Sequence, residues 1–296
     1  MAARFSMPEA TRPHEALASV EKARSDLEAR SAESLASVQR GFKSPETSSN
    51  TPAQPNPMAH VPVEDFGVAI CQNATRYWCG RRYMTPVGYQ FVSVACVAYS
   101  VCDVVSAKLA RQAEAVCNAL GLEPRRAAIP FSKKEIYDCV DREGLRLSFH
   151  RAFDYVQYEG IHTEARYPFE NQWQDNCIAA SIAGRKITLD RWDRLYGEEA
   201  VLTALNQHPI VGSMNYGSVT SYYDSDVTHV YRPEDMEQES GRHSFLIIGY
   251  GDEGGIPYYI VKNCWGLTWG LNGYARVARN VITKFVTPGF VRWMEN

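Results

Sequence analysis

The cysteines, tryptophans and glycines of this chain fall almost entirely on one side of residue 60. All eight Cys, all six Trp and nineteen of the twenty Gly lie beyond it. The first sixty residues carry seven basic and seven acidic side chains, six prolines and only two aromatics, Phe5 and Phe42. A segment of that composition cannot bury enough apolar surface to offset the entropy of ordering it. The folded domain is therefore expected over residues 62–296, preceded by a low-complexity arm, 1–61. Within the arm, Leu17, Val20, Leu27, Leu35 and Val38 suit a weakly amphipathic helix over 14–42. The tetrad Leu-Ala-Ser-Val at 17–20 returns at 35–38, an offset of 18 residues, or five helical turns. This helix either packs on its own domain or frays in solvent, or it serves as a coiled-coil or partner-binding arm. Residues 43–61 read as a Pro/Ser linker.

Charge and motif content exclude several functions. The net charge of −3, from 31 Lys+Arg and 34 Asp+Glu, argues against a nucleic-acid partner. No run of about 18 apolar residues is available to cross a membrane. The first twenty residues include Pro8, Glu9 and Glu15 and no apolar core, so a cytoplasmic location is expected. The cysteines form no C-x-x-C pair, which leaves them as free thiols or a catalytic group. No metal or cofactor is expected.

Periodicity places helices at 95–122, 132–140, 145–157 and 198–207, the first closed by Gly121. The later part changes character. Ile210–Met214, Ser244–Gly249, Tyr258–Lys262 and Gly273–Val277 read as short antiparallel strands. Helices first and strands later indicate an α+β fold of two lobes with a cleft between them.

Gly249-Tyr250-Gly251-Asp252-Glu253-Gly254 spells a dinucleotide fingerprint, but the next segment, Ile256–Val261, is a strand and not the helix a nucleotide site requires. A hairpin with a glycine-rich turn is the expected reading. The informative residues lie around it. His243 opens one strand, Asn263 ends the next, and Trp265 follows. Across an antiparallel hairpin those ends are neighbours. An amide oxygen beside an imidazole fixes its tautomer, and the indole keeps water off that bond. This is the orienting half of a Cys-His-Asn triad.

These residues resemble the papain-like cysteine proteases over roughly 76–296. Tyr167-Pro168-Phe169, Ala152-Phe153-Asp154-Tyr155 before Gly160-Ile161, and Trp78 seven residues before Thr85-Pro86-Val87 add to the likeness. Cys264 stands where that family usually has serine. The resemblance implies a helical first lobe, an antiparallel sheet or barrel second lobe, and a peptide or protein substrate. Counting along its pattern gives Gln90 as the oxyanion residue and, six further on, Cys96 as the nucleophile, followed by Ala98-Tyr99-Ser100. Cys96 should begin the first long helix, where unpaired N–H groups and the dipole would lower its thiol pKa.

The chain also departs from that pattern. Ser93-Val94-Ala95-Cys96-Val97 replaces Cys-Gly-Ser-Cys-Trp, and Gly144 with Arg146-Leu147 stands at the Cys-Asn-Gly-Gly segment. One family disulfide thus loses both partners together, as a reducing compartment permits, and a second is not evident. Cys139 and Cys177 match another and could pair. Val94, Ala95, Arg146, Leu147 and Trp265 are expected to line the substrate cleft, with Val94, Arg146 and Leu147 narrowing it. The function expected is thiol-dependent hydrolysis of a peptide or amide bond. The alternatives are an acyl transferase using the same acyl-enzyme, or a protease-like binding protein with a filled cleft.

Overall fold

The computed structural model describes residues 65–90, 95–124, 127–141, 147–169, 177–216, 229–232 and 241–295. The arm expected over 1–61 lies outside them, as do Val94 and Arg146. Four helices are present among the described residues: α1 (Cys96–Ala119), α2 (Lys133–Cys139), α3 (Phe149–Tyr158) and α4 (Glu198–Leu205). Each falls within or close to a predicted helix.

The first half of α1 is unusual for a helix of its length. Every residue from Cys96 to Ala107 is buried but Val97, Val101, Val104 and Val105 are poor helix formers. Burial on all sides, and not propensity, holds this half in place; Lys108 to Ala113 are half-buried, and after the buried Glu114 the helix is mostly exposed. The helix packs on α2, α3 and the main sheet. At α2 the chain supplies its own cap, Ser132 Oγ accepting the Glu135 N–H at 2.9 Å. Glu135 is fully buried and turns inward, accepting the His162 N–H at 2.7 Å.

The strands are β1 (Arg76–Tyr77), β2 (Ile187–Leu189), β3 (Trp192–Leu195), β4 (Ile210–Tyr216), β5 (Val230–Tyr231), β6 (Gly241–Glu253), β7 (Ile256–Lys262), β8 (Tyr274–Ala278), β9 (Lys284–Pro288) and β10 (Val291–Trp293). The main sheet runs β3-β9-β4-β6-β7-β8-β5, with β1 added along β6, while β10 and β2 form a separate pair. The sheet is antiparallel, as expected, except at one edge, where β5 lies parallel to β8. Central β6 is buried continuously from His243 to Gly249, as a strand covered on both faces must be, and α1 packs against it. Helices on one side and a predominantly antiparallel sheet on the other make the two-lobed α+β fold.

The glycine-rich string is a hairpin. Gly249 and Gly251 lie within β6, and the turn to β7 is Gly254-Gly255, both with positive φ (61° and 84°). Those angles suit a two-residue turn of the kind that joins twisted strands without strain.

The lobes are joined through buried polar chemistry as well as apolar packing. Lys262, the last residue of β7, extends Nζ to Asp103 Oδ2 of α1 at 2.6 Å and to Thr85 Oγ1 at 2.9 Å. Thr85 in turn donates to Asp103 Oδ1 at 2.6 Å. Burial lowers the Lys262 pKa, while the Asp103 carboxylate acts in the opposite direction.

Candidate active site

Four short segments meet where α1 faces β6 and the end of β7. The first is the N-terminus of α1. Ala95 precedes Cys96 without a side-chain cap, and the first turn contains no acidic residue. The free N–H groups of that turn are thus available to the residue that begins it. The N–H groups of Cys96 and Val97 and the backbone and hydroxyl of Ser244 draw the Cys96 pKa down. Ser244 follows His243 on β6, the strand against which α1 packs. Sequence alone marked Ser244 only as the start of an apolar strand.

Those donors favour the thiolate, but burial opposes it more strongly, and the Cys96 pKa lies above the ordinary thiol value. The lowered pKa expected at a helix N-terminus is therefore corrected. Removing a charge from water costs more here than the helix end returns. Burial acts on His243 in the same sense, pushing its pKa down to about 4 against the opposing pull of Asn263. Both shifts favour the neutral forms, a thiol and an imidazole.

The tautomer of that imidazole follows from its partners. His243 Nε2 lies 2.6 Å from Asn263 Oδ1, and the Cys264 backbone N–H reaches the same oxygen at 2.8 Å. A backbone N–H can only donate, so the atom it faces is the amide oxygen, and Nε2 must carry the ring proton. That leaves Nδ1 as the lone-pair nitrogen. Trp265 lies over His243 with ring centroids 4.3 Å apart, and Trp269 closes edge-on against Trp265. His243 and Asn263 are both 3% exposed, so water has little access to their bond.

The fourth segment brings Gln90. Its N–H donates to the Cys264 carbonyl at 2.8 Å, the Gly266 N–H donates to Gly88 at 3.0 Å, and Tyr89 and Trp265 form a bridge between these. This short ladder ties Gln90 to the residues after Asn263. Gly88 permits it, since a Cβ there would fall 2.0 Å from the Tyr99 ring. Cys264 Sγ donates to Gln90 Oε1 at 2.8 Å, a contact that sequence reading did not foresee. That bond takes the amide oxygen, and the NH2 is the donor end of the side chain.

The structure thus joins His243, Asn263 and Gln90 through Cys264, and Cys96 begins the helix that packs against β6. Ala95 is fully buried behind Cys96, Trp265 is half-buried, and Leu147 is buried at 7%. Cys139 and Cys177 are joined by a disulfide, which ties the end of α2 to the segment before residue 178. Among the described residues no group of His, Cys, Asp or Glu is arranged to hold a metal ion.

Known proteins share this arrangement's fold. A cysteine protease from Carica candamarcensis solved with E-64 covers 70% of this chain and 93% of its own, at 24% identity and a TM-score of 0.55. The bromelain protease from Ananas comosus, solved with the E64 inhibitor, covers 70% and 94%, at 23% identity and a TM-score of 0.58. In sequence, cysteine proteinase 3 of Dictyostelium discoideum is 32% identical over 163 residues, 51% of this chain and 46% of its own length. Mouse cathepsin K is 29% identical over 202 residues, 67% and 57% respectively. The chain spans about half the length of the curated relatives it matches. The model of the papain family cysteine protease matches residues 78–287, well over half of the chain. The protein therefore belongs to the papain family of cysteine proteases.

Proposed function

We propose that the chain is a cysteine peptidase in which Cys96 is the nucleophile and His243 the general base and acid. Asn263 orients His243, and the Gln90 amide with the Cys96 N–H receives the oxyanion. The observation that carries this reading is the shared Asn263 oxygen, which fixes the His243 proton on Nε2 and leaves Nδ1 basic. Because both groups rest neutral, attack proceeds with transfer of the Cys96 proton to Nδ1 as sulfur adds to the scissile carbonyl. The tetrahedral intermediate places its negative oxygen on the Gln90 and Cys96 donors. Collapse breaks the C–N bond, and His243 returns its proton to the departing amine. Water, activated by the same nitrogen, then hydrolyses the thioester.

The substrate is a peptide or protein, held in a cleft narrower than that of a general peptidase. Side chains at Val94, Arg146 and Leu147, where the family pattern has glycine, support this. A binding role is the second reading, favoured by the burial of Cys96, which is only 9% exposed.

A peptidyl epoxysuccinate separates the two. The peptidase reading expects a single adduct at Cys96, located by peptide mapping, formed much faster than with a small epoxide lacking the peptide. Equal, slow modification by both compounds would overturn it in favour of the binder.

The pH profile is a second expected result. His243 accepts a proton from Cys96 only while neutral, and its pKa is near 4, well below the usual 6.5. Protonation therefore disables it only as pH falls through about 4, so the acidic limb of kcat/KM should lie there. A limb near 6.5 on a substrate without titratable groups would show that His243 is solvated and not buried during turnover.

A further inference from the structure

The register of the main sheet sets three cations beside His243. Residues directly opposite each other in an antiparallel pair share a face. Ser213 of β4 lies opposite Ser244 of β6 and, on its other side, opposite Lys284 of β9; Asn215 lies opposite Arg242. The Thr283 N–H, donating to the Ser213 carbonyl at 3.0 Å, pins Lys284 in that place. Two residues along β9, Val286 lies opposite Val211 on one side and Arg194 of β3 on the other. Arg194, Lys284 and Arg242 therefore stand on one face of the sheet. The same face carries Lys262, opposite Leu246, and Lys262 Nζ reaches Asp103 of α1. It is the face turned to the helical lobe, and Arg242 and Ser244 are the chain neighbours of His243.

Burial divides this face. Val211, Leu246, Val286, Ser213 and Ser244 are buried, whereas Arg194, Arg242 and Lys284 are exposed. Like charges on neighbouring strands repel, and such a group calls for a counter-charge. Among the described residues, none of the three takes part in an ion pair or a side-chain hydrogen bond. The acid next to Arg194 in the chain, Asp193, alternates to the other face and pairs with Arg191 at 3.1 Å. Burial and the charges of Arg242 and Arg194 hold the Lys284 pKa below the ordinary lysine value, and no described acid acts against them.

We propose that Lys284 and Arg242, flanked by Arg194, form a subsite on the sheet side of the cleft that receives an acidic side chain of the peptide substrate. The inference rests on the peptidase reading for the kind of molecule bound, and it adds which residue that molecule must carry. Lys284 and Arg242 lie on either side of β4, about 10 Å apart across the sheet. Ser213 between them is small, so a Glu or Asp carboxylate has room above it while both long side chains lean inward. The guanidinium of Arg242 can hold such a group through two parallel N–H bonds, and the Lys284 ammonium adds a point charge. A glutamine of the same shape offers no charge, and a lysine is repelled. Because Arg242 directly precedes His243, the acidic residue lies close to the scissile bond.

The test uses the full chain and an otherwise uncharged fluorogenic peptide in which each position in turn holds Glu, Gln or Lys. At one position the Glu peptide should exceed its Gln counterpart at least about fivefold in kcat/KM, with Lys poorest. That ratio should fall towards one in about 1 M salt, where exposed charges are screened. Lys284→Glu should reverse the order at the same position, Lys now leading and Glu poorest. A ratio taken within one variant does not depend on how active that variant is. Binding of the same peptides to Cys96→Ala, followed by fluorescence anisotropy, reads the preference without turnover. Glu and Gln peptides that are equal at every position in both assays would overturn the proposal. So would a Glu preference unchanged by both salt and Lys284→Glu, because another group would then be reading the charge. A Glu preference in binding with no cleavage by the unaltered chain supports the subsite and sinks the peptidase reading, whereas cleavage with a flat profile does the opposite.

Discussion

Replacing His243 by alanine is expected to lower kcat/KM at least about ten-thousand-fold, or roughly 5 kcal/mol of transition-state stabilisation. The reason lies in the resting state of the pair. Burial raises the Cys96 pKa, so few molecules hold a thiolate without help. A neutral thiol is a weak nucleophile, and its proton has to leave as sulfur attacks. In the proposed mechanism Nδ1 of His243 is the base that takes it. Asn263→Ala should cost less, about tenfold to a hundredfold, because it removes the partner that fixes the tautomer and leaves the base in place. Single-turnover and steady-state rates on one fluorogenic peptide measure both. Unchanged circular dichroism and an unchanged melting temperature would show that the fold is intact. If His243→Ala retained more than a tenth of the activity, the proton would be passing to another group and the assignment of roles would fail.

The parts of this site that were legible in the sequence are those whose chemistry is local. His243, Asn263 and Trp265 sit at the ends of two apolar runs joined by a glycine turn, and a hairpin brings such ends together whatever the rest of the chain does. Cys96 and Gln90 were placed by their spacing within a recognisable pattern and not by any property of their own. The long helix α1 was visible because its apolar spacing extends over many turns. Strands of two to four residues, such as β1, β2 and β10, are too short for alternation to register. The parallel pairing of β5 with β8 joins segments that no local signal connects. The bond from Cys264 to Gln90 was missed for a different reason: it joins residues 174 apart in the chain and exists only once two lobes are packed. The thiol pKa was misjudged because helix-end electrostatics can be read from sequence, while burial, which outweighs it here, cannot.

Lys262 and Asp103 illustrate the same limit and carry the largest expected effect on stability. A lysine beside Asn263 and an aspartate in a helix read as ordinary polar positions, yet Lys262 is 2% exposed and Asp103 6%. Lys262→Met should destabilise the protein by about 3–5 kcal/mol, because it leaves the Asp103 carboxylate buried with Thr85 as its remaining side-chain partner. For a domain of this size that corresponds to a fall in melting temperature of roughly 10 °C. The discriminating experiment is the double variant Lys262→Met, Asp103→Leu. If the penalty comes from an uncompensated buried charge, removing the second charge should restore most of the loss, since an apolar pair of similar volume avoids the desolvation cost. If the double variant is instead as unstable as the two single losses combined, packing and not charge holds the lobes together at this point. Activity separates a further possibility. Lys262 immediately precedes Asn263, and the Asn263 N–H is held by the Gly273 carbonyl at 2.9 Å. That backbone bond does not depend on the Lys262 side chain. The double variant should therefore regain kcat/KM along with stability, and a stable but inactive protein would mean that the ion pair also sets the position of Asn263.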